Sequence, residues 1–190
     1  MKKNITYFEN AGPENTEETI KLARERALEL RIRDIVVAST HGKTALKTAD
    51  IFDASKFNIS AVTISEGHRS EGWAMSKEER KKVLAKKINV FTGTHALGDD
   101  VSSAFTEKFG GKPINGIVAQ TLYRFSQGMK VCVETVLMAA DSGLISVGKE
   151  VIAIAGTDEG ADTAIVVKPS YARTFLNLKI KEIIAMPREG

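Results

Sequence analysis

The strongest constraint on the fold is a run of four apolar residues, Ile35-Val36-Val37-Ala38. A β-strand that is apolar on both faces is typical of a parallel sheet covered by helices on each side. The preceding segment, residues 15–31, is predicted to form an amphipathic helix, because apolar residues recur at steps of three and four between Ile20 and Leu30. A short apolar segment, residues 5–8, and a turn come before this helix, which leads into the doubly buried strand.

Helical and strand-like segments alternate over the rest of the chain. After the first buried strand, the sequence predicts a helix (44–52), a strand (59–64), a helix (77–87), a strand (89–92), a helical stretch interrupted near 127–128 (115–142) and three strands (150–155, 163–167, 178–186). This alternation indicates an α/β protein, and the strand-rich end makes the sheet mixed but mostly parallel. Too little sequence separates Ala155 from Thr163 for a helical crossover, so these two strands are predicted to be antiparallel.

Three local patterns predict how elements begin, end or lie in the sheet. Asn15 with Glu18, and Ser76 with Glu79, have the spacing of a capping box at a helix start. Gly143 is predicted to terminate the long helical stretch. The alternation of apolar residues and lysine over residues 178–181 predicts an edge strand with one solvated face.

Length and composition favour one domain over residues 1–190. The chain has 43% hydrophobic residues, enough for one sizeable core. Its 27 basic and 24 acidic residues are interspersed and leave a net charge of +3, so a nucleic-acid partner is not expected. No segment resembles a signal peptide or a membrane span. The single cysteine, Cys132, lies in an apolar helix and excludes a disulfide framework, so we expect a buried thiol and a cytoplasmic protein.

The loop after the first buried strand has the composition of an anion-binding site. It contains two hydroxyls, a glycine, a lysine and a third hydroxyl at the start of a helix: Ser39, Thr40, His41, Gly42, Lys43 and Thr44. A helix N-terminus offers free N–H groups and partial positive charge to a phosphate. The loop is not a Walker A motif, which would need glycine at Val37. The alternative is that Ser39 or Thr40 only caps the helix.

Three further loops follow strands, and in a parallel sheet such loops face one crevice. The first contains Glu66, Gly67, Arg69 and the only tryptophan, Trp73; the second contains Gly93, Thr94 and His95; the third contains Gly156, Thr157, Asp158, Asp162 and Thr163. Trp73 either stacks on a planar ligand or anchors its loop, and Arg69 is a candidate for contact with a phosphate or carboxylate. The third loop has an ordinary hairpin turn as its alternative.

The three histidines, His41, His68 and His95, all follow strands, which suggests a metal site with Glu66 or Asp99. We do not predict one, because no metal-ligand spacing is present and three loops would have to converge. A serine hydrolase is not predicted either, because the chain has no G-x-S-x-G motif. Neutral imidazoles are equally suited to hydrogen-bonding a phosphate or a heterocycle.

The segment from Val36 to Ala45 resembles the strand and S-T-x-G-x-T loop of the pyruvate kinase C-terminal domain, and the segment from Gly148 to Val167 resembles its final strand pair. The whole chain resembles the stand-alone pyruvate kinase C-terminal domain-like proteins. That resemblance implies a three-layer α/β/α sandwich and phosphate recognition by the 39–44 loop. It does not imply pyruvate kinase activity, which resides in a barrel domain that 190 residues cannot contain.

The resemblance also implies flavin mononucleotide (FMN) as the cofactor, with its phosphate on the 39–44 loop and its ring against the other three loops. The leading prediction is therefore a protein that binds a phosphorylated small molecule. Two alternatives remain open. One is a flavin-dependent oxidoreductase or a phosphate-ester-processing enzyme that uses His41, His95 or Asp158, and the other is a regulatory or structural module with a vestigial effector site. A homo-oligomer is compatible with each of them.

Overall fold

The computed structural model describes residues 2–189, which contain one seven-stranded sheet in the order β1-β7-β6-β5-β2-β3-β4. The strands are β1 (Thr6–Asn10), β2 (Asp34–Ala38), β3 (Asn58–Thr63), β4 (Asn89–Thr92), β5 (Val151–Ala155), β6 (Thr163–Lys168) and β7 (Lys179–Glu189). Four neighbouring pairs are parallel, and only β5–β6 and β6–β7 are antiparallel. The predicted mixed, mostly parallel sheet is confirmed, as is the antiparallel arrangement of β5 and β6.

Helices cover both faces of this sheet. They are α1 (Thr16–Leu30), α2 (Lys43–Phe52), α3 (Lys77–Ala85), α4 (Val101–Phe109), α5 (Ile114–Leu122) and α6 (Gln127–Asp141). Buried residues of α1, α2 and α3 pack in one apolar cluster, and those of α5 and α6 pack in a second. The fold is thus a three-layer α/β/α sandwich, as predicted.

Strand β2 explains why its sequence is apolar at every position. Ile35 and Val37 belong to the cluster beneath α1 and α2, whereas Val36 belongs to the cluster beneath α6. All three are completely buried. A polar residue at any of them would lose its water and gain no partner, so the sheet requires an uninterrupted apolar run here.

Two sequence predictions of local structure are wrong. The backbone of Asn15 is already helical, because it ends a 3-10 turn that begins at Pro13, and its side chain donates to the Asn10 carbonyl, so no capping box forms. Strand β7 is not the edge of the sheet, because its second half pairs with β1. Only its first residues, where lysine alternates with apolar residues, have a partner on one side alone.

Other local predictions hold. Ser76 and Glu79 form both hydrogen bonds of a capping box at the start of α3. The helix α6 ends at Asp141, and Gly143 follows with a left-handed φ of 75°. The sequence did not predict α4, nor the 3-10 helix Glu66–Glu71 in the loop after β3.

Within residues 2–189, no helix combines the length and the apolar character needed to cross a membrane.

The parallel strands bring the predicted loops together. Strands β2, β3, β4 and β5 point in one direction, so the segments that follow them lie at the same edge of the sheet. The first turn of α6 lies at this edge too, because α6 leads into the beginning of β5 and packs along both β5 and β2. The candidate site lies at this edge.

Candidate functional site

The 39–44 loop joins β2 to α2 and leaves backbone donors free. The Ser39 amide donates to the Val62 carbonyl, which fixes the loop to β3. The Ser39 hydroxyl accepts from the Ala45 amide at 3.1 Å and so caps one N–H of the first helical turn. Within residues 2–189, the amides of Lys43 and Thr44 have no acceptor. The capping alternative is thus correct for Ser39, but it leaves the donors that an anion would use.

Gly42 allows this loop to approach α3 closely. Its φ is 84°, and a Cβ at this position would lie 2.5 Å from Cγ2 of Val83. A side chain here would therefore be strained by its backbone conformation and would also overlap a buried methyl group. The glycine fixes the direction in which α2 starts, and hence the direction of its free amides.

A cavity of about 700 Å³ opens beside the loop. The predicted residues that line it are Ser39, Thr40, His41, Lys43, Thr44, Trp73, His95, Gly156 and Asp158. They come from all four loops that follow parallel strands. Residues of α6 between Gln127 and Met138 complete the lining. The cavity has the size and the mixed polar and apolar lining of a small-molecule site.

The charges around the cavity are unevenly distributed. Lys43 and Lys47 lie one turn apart on α2, and neither forms an ion pair within the described residues. Asp158 and Glu159 contribute negative charge from the β5–β6 loop. Two unpaired ammonium groups beside a helix N-terminus give the α2 end of the cavity a positive potential.

Sequence reasoning missed an ion pair that lines the cavity from α6. Lys130 donates to Oε2 of Glu134 at 2.6 Å, and both residues are buried. Oε1 of Glu134 accepts from the Leu97 amide at 2.9 Å and so fixes the β4–α4 loop to α6. The signal was present, because a lysine and a glutamate four residues apart interrupt an otherwise apolar helix. Lys47 and Gln127 were also missed.

His41 contacts the capping box of α3. Its Nδ1 lies 3.3 Å from the carboxylate of Glu79, the residue that also accepts from the Ser76 amide. The Ser76 amide is the main reason that the pKa of Glu79 lies below its ordinary value. Glu79 therefore stays ionised and orients the His41 ring toward α3.

Two of the histidines converge on one carboxylate. Nε2 of His68 lies 3.0 Å from Oδ2 of Asp99, and Nδ1 of His95 lies 2.7 Å from the same oxygen. The other nitrogen of His68 lies 3.0 Å from Glu71. Because carboxylates face both of its nitrogens, the His68 ring is stabilised as an imidazolium. The hydrogen bond to Asp99, and then that to Glu71, raise the pKa of His68 above its ordinary value.

Trp73 stacks on this histidine at the cavity. The ring centroids of Trp73 and His68 are 5.7 Å apart, with 24° between their planes. Trp73 is 52% exposed and lines the cavity, so about half of its surface is accessible. The stack with His68 also fixes Trp73 to its own loop.

Several predicted residues do not line the cavity: Glu66, Gly67, Arg69, Gly93, Thr94, Thr157, Asp162 and Thr163. Arg69 donates to Glu66 on an exposed surface, and the two charges compensate each other there. Gly42 shapes the loop and does not line the cavity itself.

Asp162 and Thr163 have structural contacts instead. Asp162 is completely buried and accepts hydrogen bonds from the amides of Gly12 and Thr157. Thr163 donates to Asp162 and contacts the Ser126 hydroxyl that caps α6. These bonds connect the β5–β6 loop to the start of α1 and to the start of α6, which keeps Gly156 and Asp158 at the cavity.

The described residues contain no group of three or more histidine, cysteine or acidic side chains arranged to hold a metal ion. Cys132 is completely buried in α6, and burial raises the pKa of its thiol well above the ordinary value. The thiol is therefore protonated at neutral pH and is not a nucleophile.

The protein-family model described as "Pyruvate kinase, alpha/beta domain" matches residues 17–167 of the chain. The chain belongs to the pyruvate kinase alpha/beta domain family. The matched region runs from α1 to β6. It includes α6 and all four loops at the carboxyl edge of the sheet, among them the 39–44 loop. The match confirms the resemblance seen in the sequence.

Proposed function

We propose that this protein binds a phosphorylated small molecule, with its phosphate at the 39–44 loop. The observation that carries the proposal is the pair of unbonded amides at Lys43 and Thr44, beside a cavity that two lysines without ion-pair partners help to line. A helix N-terminus with free donors binds phosphate through hydrogen bonds and through its dipole. The second lysine, Lys47, adds charge one turn further along α2.

We propose FMN as the ligand. Its phosphate needs donors at one end of a site, and its ring needs an apolar or aromatic wall at the other. The 39–44 loop provides the first, while Trp73 and the apolar residues Val62, Ile64 and Met138 support the second. A cavity of about 700 Å³ lies in the range of small-molecule sites. FMN would supply electron and hydride transfer chemistry when bound.

The function we propose does not include pyruvate kinase activity. The family match covers the alpha/beta domain alone. Because a fold does not determine a function, the proposal rests on the loop and the cavity and not on the name of the family.

Titration with FMN and with riboflavin tests the proposal, since riboflavin has the same ring and no phosphate. We expect Lys43→Met to weaken FMN binding about tenfold or more, because a charge-assisted hydrogen bond is lost, and to leave riboflavin binding unchanged. Lys181→Met removes an exposed lysine from β7 and is the matched control. Equal affinities for FMN and riboflavin in the wild type, or no effect of Lys43→Met, would place the phosphate elsewhere.

A protein that binds neither FMN nor inorganic phosphate would contradict the whole proposal and would favour a module with a vestigial site. Thermal unfolding in the presence of inorganic phosphate tests phosphate binding separately from binding of the flavin ring. A rise in melting temperature that depends on Lys43 supports the phosphate site even if FMN is not the ligand.

One observation favours a second candidate, a phosphate-ester-processing enzyme. Asp99 lies 2.7 Å from Nδ1 of His95, which favours a proton on that nitrogen and leaves Nε2 as a base. His95 lines the cavity, and in this candidate its Nε2 acts on a bound phosphate ester or on a water molecule. Release of inorganic phosphate from FMN by the wild type, and its loss in His95→Asn with ligand affinity retained, would support this candidate. Absence of phosphate release would leave binding alone.

A further inference from the structure

Helix α4 exposes its apolar side and turns its polar side inward. Val101, Phe105 and Phe109 are 76%, 62% and 70% exposed and recur every four residues, so they form one stripe along the helix. The partly buried residues of α4 are instead hydroxyl-bearing: Ser102, Ser103 and Thr106. No residue of α4 is fully buried. This is the reverse of the pattern by which a surface helix packs on its own core.

Helix α5 begins beside the start of α4 and exposes two further apolar residues. Ile114 and Ile117 are 82% and 54% exposed. The Asn115 side chain donates to Asp100 at 2.8 Å, which holds the start of α5 against the start of α4. We refer to these five apolar residues of α4 and α5 as the α4–α5 surface.

The α4–α5 surface is large for the apolar patch of a monomer. If a fully exposed side chain of this size presents about 150–220 Å², the five exposed fractions amount to roughly 650 Å². A monomer rarely exposes an apolar patch of more than about 300–600 Å², while each side of a standard protein interface buries about 800 Å². The α4–α5 surface therefore exceeds the patch that a monomer usually exposes and supplies most of one side of a standard interface.

We propose that the α4–α5 surface binds a second copy of this chain, through an antiparallel α4–α4 contact on a two-fold axis near Phe105. The stripe is symmetric about Phe105, because an apolar residue lies four positions before it and four positions after it. A two-fold axis at Phe105 therefore places Val101 of one copy against Phe109 of the other, and each Phe105 against its counterpart. Such a self-complementary contact is the geometry of an isologous dimer.

The charges near the apolar stripe of α4 are compatible with a second copy of the chain as its partner. Glu107 and Lys108 follow one another on α4, and Lys108 lies over the Phe109 ring at 5.4 Å. Neither charge lies at the centre of the contact, where charged residues are usually depleted and aromatic residues enriched. A membrane-surface helix would have a strongly charged polar face, whereas that of α4 consists of hydroxyl groups packed on the protein. The proposal does not depend on the ligand.

Sedimentation velocity of the full chain tests the dimer. We expect a species of twice 20.7 kDa at micromolar concentration. Phe105→Glu should raise the dimer dissociation constant by about 30-fold or more, because it removes a central aromatic contact and inserts two like charges. Leu176→Glu, at another exposed apolar residue outside this surface, is the matched control and should leave the dimer intact. Since Phe105 is exposed, its replacement should leave the circular dichroism spectrum unchanged.

A cysteine cross-link tests the geometry. The native Cys132 is buried, so only an introduced thiol reacts in the folded protein. Oxidation of Phe105→Cys should give a covalent dimer, and oxidation of Leu176→Cys should not. A wild-type protein that stays monomeric at concentrations up to about 100 μM would overturn the proposal, as would a dimer that persists in Phe105→Glu. A monomer that binds vesicles of phosphatidylcholine and phosphatidylglycerol through Phe105 would also overturn it.

Discussion

Gly42→Ala should destabilise the protein by two separable effects. The first is backbone strain, because φ is 84° at this position and a left-handed conformation costs a residue with a Cβ about 1–2 kcal/mol. The second is overlap of the new methyl group with Val83 Cγ2 at 2.5 Å, and forced overpacking of this kind costs about 1–3 kcal/mol. The expected loss is therefore about 2–5 kcal/mol.

Gly72→Ala separates the two effects. Gly72 has nearly the same φ, 80°, and no atom lies within 4 Å of the position that a Cβ would occupy. This variant should lose only the backbone component, about 1–2 kcal/mol. Free energies of unfolding from urea denaturation at constant m measure both variants. Equal losses for Gly42→Ala and Gly72→Ala would refute the overlap with Val83.

A double-mutant cycle identifies the clashing partner. Val83→Ala alone removes two buried methyl groups and should cost about 1–2.5 kcal/mol. In the Gly42→Ala background it should cost less by about 1–3 kcal/mol, because it removes the atom that the new methyl group meets. Additive losses would show that α3 does not restrain the 39–44 loop. Because strain at Gly42 redirects the free amides, Gly42→Ala should also weaken FMN binding.

Three further predictions concern the groups around the cavity. The pKa of His68 is raised, so its contribution to stability is full below about pH 6.5 and is lost as pH rises through the raised pKa. The fluorescence emission of Trp73, the only tryptophan, should therefore change with a midpoint above about pH 6.5. A midpoint at or below about pH 6.5, or a transition that persists in His68→Gln, would contradict this. Glu134→Ala should lower the free energy of unfolding, measured by urea denaturation, by about 3–5 kcal/mol, because it leaves the buried Lys130 ammonium unpaired. Adding Lys130→Met to this variant should recover part of that loss, and no recovery would mean that the two residues are not coupled. Cys132 should react with a thiol reagent only after denaturation, and fast labelling of the native protein would contradict its burial.

The sheet and its helices were largely predictable because apolar patterning reports burial directly. The run at β2 is apolar because two separate clusters contact it from opposite faces. The same logic did not predict α4, whose apolar residues face solvent and whose hydroxyl groups face the protein. Patterning also placed β7 at an edge of the sheet, because lysine and apolar residues alternate only in the part of β7 that precedes its pairing with β1.

The candidate site was predictable where the chemistry lies in consecutive residues. The 39–44 loop, with its glycine and its lysine, is recognisable from sequence, and all of its residues except Gly42 line the cavity. Lys130 and Glu134 are distant in sequence from the loops, and only the packing of α6 brings them to the cavity. Asp162 is a residue type that often binds ligands, but here its carboxylate accepts hydrogen bonds from the backbone amides of Gly12 and Thr157. Residue type alone does not distinguish a carboxylate that binds a ligand from one that fixes the backbone.

A crystal structure of the protein with FMN at saturating concentration tests the central claim most directly. We predict phosphate oxygens within about 3.2 Å of the amide nitrogens of Lys43 and Thr44, and the ring on the side of the cavity lined by Trp73. A phosphate bound elsewhere, or a 39–44 loop that contacts no ligand atom at saturation, would contradict the account.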